Sequence, residues 1–143
     1  MAITEHQIRT QPSQTQGALP APLPATRRLT NGWALTLGLA WVAFNVLAAV
    51  LEPAPAQTTI AWWESLVVMA QVGALGLVAA GLARRTSWAG AASLAGATFF
   101  TVGVFACPAT GHHAFGVWWF GEFAAVLALT TLSAVAYVRT RAA

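Results

Sequence analysis

The sequence predicts an all-α protein: a four-helix transmembrane bundle built from two tandem helical hairpins, preceded by a disordered N-terminal tail. Three observations predict it. The 143-residue chain is 57% hydrophobic and only 8% charged, against about 25% charged residues in an ordinary soluble domain, so it cannot clothe a water-facing surface. Its apolar residues fall into four long runs. Its basic residues, seven arginines and no lysine, flank those runs on one side only.

Residues 1–28 read as a cytoplasmic tail. Up to position 26 they hold four Gln and four Pro and almost nothing that could form a core, a composition that stays disordered because little apolar surface is available to offset chain entropy. No apolar segment with a small-residue cleavage site precedes the first run, so this is not a signal peptide.

The domain proper is expected over 29–141, with helices near 33–51, 63–83, 88–106 and 116–138. Each has the roughly 20 apolar residues that a helix needs to cross a bilayer core. Only helices and closed barrels satisfy every backbone polar group in lipid, and runs of this length are too long for barrel strands. Arg9, Arg27 and Arg28 precede the first run, Arg84 and Arg85 separate the second from the third, and Arg139 and Arg141 follow the fourth. An excess of arginine marks the cytoplasmic side. Both termini are therefore expected in the cytoplasm of a multi-pass cell-membrane protein, with the loops at 52–64 and 107–117 outside. The net charge of +3 is spent on topology, which excludes a nucleic-acid partner; the bilayer itself is the first partner.

The chain also repeats itself. A shift of 55 residues lays Trp33 on Trp88, Leu39 on Leu94, Phe44 on Phe99 and Pro53-Ala54 on Pro108-Ala109, with Glu52 over Cys107. One residue more lays Trp62-Trp63 on Trp118-Trp119, each pair followed by a glutamate. Two like-oriented hairpins imply a pseudo-two-fold axis along the membrane normal. Glycines at 73, 76 and 81, and at 90, 96 and 103, are expected to let helices approach closely. Trp33, Trp62, Trp63, Trp88, Trp118 and Trp119 are read as an interfacial aromatic belt.

Chemistry concentrates in ACPATGHHAFGVWWFGE, residues 106–122, which holds the single cysteine and two of three histidines. Pro108 is expected to stop the third helix and Gly111 to allow a tight turn, making CPATGHH a compact outer loop. Cys107, His112 and His113 are donors for zinc, copper or haem iron, and Glu52, Glu64 and Glu122 bring the candidate metal ligands on this face to six. In an extended chain adjacent histidines point apart, so one is expected to ligate and the other to support it. Glu64 and Glu122 are expected in first helical turns, where free N–H groups and the helix dipole favour a carboxylate. Asn45 and Glu52 share one helix face, and Glu64 and Gln71 another; Asn45 and Gln71 read as hydrogen-bonding glue between helices. One cysteine allows no internal disulfide, and no oxyanion-binding element accompanies it, so nucleophilic catalysis is not expected.

Three functions fit: a non-enzymatic membrane protein with an outward Cys/His/Glu site for a metal or haem; an accessory, assembly or exclusion subunit of a larger membrane complex; or a homodimeric small transporter.

Overall fold

The computed structural model describes residues 28–54 and 62–141. Most of the expected tail, and the middle of the first outer loop, lie outside the described residues. Four helices make up the fold: α1 (Asn31–Leu51), α2 (Trp62–Arg84), α3 (Ala89–Ala109) and α4 (Val117–Arg141). All four are long and apolar enough to cross a membrane.

Each helix begins and ends for a local reason. Thr30 caps α1, its hydroxyl accepting from the Trp33 amide, as N-cap threonines do. α2 ends at Arg85, which adopts a left-handed φ of 49°. The Arg85 amide donates to the Leu82 carbonyl and the Thr86 amide to that of Gly81, the paired bonds of a Schellman motif. α3 ends the same way: Gly111 has φ 73°, its amide donates to Pro108 O, and the His112 amide donates to Cys107 O.

That second motif corrects the expectation that Pro108 stops α3. The helix runs through Pro108 to Ala109. A proline inside a helix removes the bond to the carbonyl four residues back, here Val104. That carbonyl instead accepts the indole N–H of Trp119 at 2.8 Å. Trp119, expected in the aromatic belt, therefore serves the backbone of the neighbouring helix. Its ring stacks on Phe123 at 5.0 Å and meets the edge of Phe105 at 5.4 Å.

The helices form a ring. α3 packs most extensively on α4, α1 lies against α4, α2 lies against α3, and α1 and α2 touch least. The α3–α4 contact is close because Gly90 is there: a Cβ on it would stand 3.2 Å from the Tyr137 Cα. Gly96 likewise admits the Trp41 ring. Gly73 and Gly76 do not serve this purpose, since nothing lies within 4 Å of a Cβ placed on either; they fall on the outer side of the loosely held α2. The core is built from Leu37, Trp41, Phe44, Val78, Ala97, Val126 and Leu129. Through it runs a polar thread: Trp41 Nε1–H donates to Ser93 Oγ at 2.9 Å, and Ser93 and Ser133 share a hydrogen bond of 2.8 Å. This joins α1, α3 and α4 where lipid gives no hydrophobic drive for association.

The ends are chemically distinct. At one, the Arg85 guanidinium donates to Asn31 Oδ1 and Arg139 lies 5.4 Å from the Trp33 ring centroid. At the other lie Glu52, Glu64 and the α3–α4 loop.

The Pro108–Trp119 arrangement is open to a double-mutant cycle. Trp119→Phe should lower stability by about 1–3 kcal/mol, the penalty of a buried acceptor left bare. In a Pro108→Ala background residue 108 regains an N–H for Val104, so the same substitution should lose about 1 kcal/mol less. Reversible unfolding in mixed micelles measures both.

Candidate functional site

At the end remote from the helix-terminal arginines, the bundle opens into a cavity of about 500 Å³. It lies among four helices of which α1 and α2 touch least and α3 and α4 most. α1 lines it with Phe44, Asn45 and Glu52, and α2 with Trp63, Glu64 and Gln71. α3 contributes Phe100, Gly103, Val104 and Cys107, the following loop Thr110, His112 and His113, and α4 only Glu122. The structure thus gathers Cys107, His112, His113, Glu52, Glu64 and Glu122 around one space. No arginine or lysine is among its lining residues.

The i, i+7 pairs reach this wall because each lies on an inward helix face. Asn45 is not a bridge between helices; its amide donates to the Trp41 carbonyl of its own helix at 2.8 Å. Gln71 does approach α3, with its Nε2 3.3 Å from where a Cβ on Gly103 would stand.

The three carboxylates sit in different settings. Glu52 is the exposed C-cap of α1. Glu64 is in the first turn of α2 and its Oε1 lies 3.9 Å from His112 Nδ1. Glu122 departs from expectation. α4 begins at Val117, so Glu122 falls in the second turn, beyond the free N–H groups, and is only 2% exposed. The Glu52 carboxyl lies within hydrogen-bonding reach of it, yet Glu122 Oε1 has no hydrogen-bond partner.

The histidines also differ from expectation. The chain bends at both residues because the Schellman turn at Gly111 reverses it, and so the two rings do not point apart. They meet edge to face with centroids 4.6 Å apart. His113 is 6% exposed and packs against Trp118 at 5.7 Å. Its Nδ1 is buried without a hydrogen-bond partner. Cys107, half-buried in the last turn of α3, is a free thiol.

Six donors around one cavity do not make a metal centre. Among the described residues no three His, Cys, Asp or Glu side chains are grouped closely enough to hold a metal ion. The expectation of copper, zinc or haem ligation gains no support from this geometry.

The aromatic wall of Phe44, Phe100 and Trp63 was not singled out as part of a site. Phe44 and Phe100 read as ordinary apolar residues until their rings meet edge to face at 5.6 Å, and Trp63 reads as belt. The signal that could have found Phe44 is its place beside Asn45 and eight residues before Glu52, on the face that carries the polar pair.

The chain matches no family model, no curated protein and no solved structure.

Gly111→Ala tests how the loop is held. A Cβ there meets nothing within 4 Å, so the penalty is purely the left-handed φ of 73°. Stability should fall by about 1–2 kcal/mol, and the His112 and His113 ring resonances should shift in NMR spectra while those of Trp41 hold.

Proposed function

We propose that this is a small, non-enzymatic integral membrane protein of the cell membrane that binds a positively charged ligand in a cavity on the outer face. One observation carries the reading: the cavity has three carboxylates and, among the described residues, no arginine or lysine in its wall, and one of those carboxylates, Glu122, is 2% exposed. Buried ionisable groups within membrane-spanning segments are unfavourable and tend to mark ligand or ion sites. A concave, largely apolar space with a few convergent polar groups is the usual form of a small-molecule site, and about 500 Å³ falls in the common range of roughly 300–1,000 Å³. Acidic walls with a low-dielectric lining concentrate cations.

The orientation follows from arginine. Arg84, Arg139 and Arg141 lie in last turns at the end away from the cavity, and such an excess favours the cytoplasm.

Two measurements test the reading. In intact cells a membrane-impermeant maleimide should label Cys107; labelling only after lysis would invert the topology. With the purified protein in nanodiscs, 2-phenylethylammonium and its N-trimethyl analogue should both raise the melting temperature as concentration rises, by about 2.7 kcal/mol of stability at a hundred times Kd. The neutral isostere 2-phenylethanol should not. Equal stabilisation by the alcohol would remove the role assigned to the carboxylates.

A further inference from the structure

Two residues that line the cavity carry polar atoms with no hydrogen-bond partner among the described residues: Glu122 Oε1 and His113 Nδ1. Both side chains are more than nine-tenths buried, at 2% and 6% exposure, and both line the same space from different segments. Buried polar groups are almost always hydrogen-bonded, so two orphans on residues that line one cavity need explaining. They also share a chemical character. A carboxylate oxygen only accepts, and a neutral imidazole with its proton on Nε2 accepts at Nδ1. With Glu122 ionised and the His113 proton on Nε2, both atoms are acceptors and want donors.

Resting on the cation-binding reading above, we infer that the ligand is a protonated primary or secondary amine with an apolar body, donating N–H bonds to Glu122 Oε1 and His113 Nδ1. Charge alone does not satisfy this pair. A quaternary ammonium neutralises the carboxylates but leaves both acceptors bare. A metal ion needs a compact donor set, and no group of three is in place among the described residues. An ammonium with two or three N–H bonds meets both requirements, and charge-assisted hydrogen bonds of this kind are the strong ones. The remaining wall suits an apolar body: Phe44 and Phe100 stand edge to face at 5.6 Å, and Trp63 lines the side between α1 and α2. Aromatic faces add attraction for the cation.

An ammonium group could reach this place as a free amine or as the headgroup of an ethanolamine lipid. The lining favours the free amine. A lipid would bring its phosphate beside Glu52, Glu64 and Glu122, and no arginine or lysine lines the cavity to receive it.

The experiment uses the full chain in phosphatidylcholine nanodiscs, titrated with 2-phenylethylammonium and with its N-trimethyl analogue. The primary amine should bind at least about tenfold more tightly, the equal of one charge-assisted hydrogen bond. In Glu122→Gln and in His113→Phe that advantage should shrink to about threefold or less. The comparison of the two cations on the unaltered protein needs no variant and stands even if a substitution unfolds the chain. Equal affinity for the two cations overturns the N–H donor assignment and leaves the cation cavity standing. Binding of neither overturns the cavity reading itself. If phosphatidylethanolamine in the nanodisc raises the melting temperature and displaces the free amine, the free-amine assignment falls to the lipid.

Discussion

The carbonyl of Val104 is the constraint on which the cavity half of this bundle depends. Pro108 takes away the amide that would have met it, and in a bilayer an unmet backbone group is unfavourable by several kcal/mol. The indole of Trp119 supplies the missing donor at 2.8 Å. Three consequences follow from that bond. α3 continues past Cys107, which sits in a helical turn rather than a loop. The chain reverses at Gly111 within two residues of the helix end, so His112 and His113 hang over the bundle. The start of α4 is clamped to α3 by an indole that also stacks on Phe123, which fixes the rotation of α4 and turns Glu122 inward. A proline and a tryptophan eleven residues apart thus set the positions of four chemistry-bearing side chains.

The cavity arises from unequal packing. α3 and α4 meet through Gly90 with their backbones close, and the Trp41–Ser93–Ser133 thread draws α1 onto the same pair. α2 is held at this end by polar groups, Glu64 lying 3.9 Å from His112, while a Cβ on its Gly73 or Gly76 would meet nothing within 4 Å. In water, exposed apolar faces would close such a gap. In lipid they have no reason to, because acyl chains solvate Leu and Val as well as another helix does. Separation of α1 and α2 is therefore tolerated, and the polar residues on their facing sides stay open to the space between them.

Much of this was legible from residue patterns, and the failures have physical causes. Four spans follow from run length, because the bilayer fixes the length of a helix and the sequence states it directly. The grouping of Asn45 with Glu52 and of Glu64 with Gln71 follows from helical period. Helix ends were harder. The rule that proline ends a helix reflects a lost hydrogen bond, and it is overridden when a donor arrives from elsewhere in the fold; nothing local to Pro108 announces Trp119. The belt reading of Trp119 failed for the same reason, since an indole at a helix end serves lipid headgroups or a neighbouring backbone equally well by sequence. Ser93 and Ser133, forty residues apart, carry no sequence sign that they meet. The metal expectation counted donor types and gains no support among the described residues, because ligation requires three donors within a few ångströms, which composition cannot encode.

The three acids of the cavity can be ranked by how well the fold accounts for them. Glu52 ends α1 in an exposed position and needs no account beyond solvation. Glu64 lies in the first turn of α2, where the helix dipole favours it, with an imidazole 3.9 Å away. Glu122 has neither excuse. It is past the free amides of α4, buried to 2%, and one of its oxygens is bare. Its carboxyl neighbour Glu52 lies within hydrogen-bonding reach, yet Oε1 stays unmet among the described residues. A glutamine or leucine at 122 would fit the same helix face with less desolvation penalty. The same reasoning applies to His113, whose ring is packed against Trp118 while Nδ1 goes unmet. Two residues from separate segments of one cavity wall each leave a polar atom unmet among the described residues, and packing alone gives no reason for either.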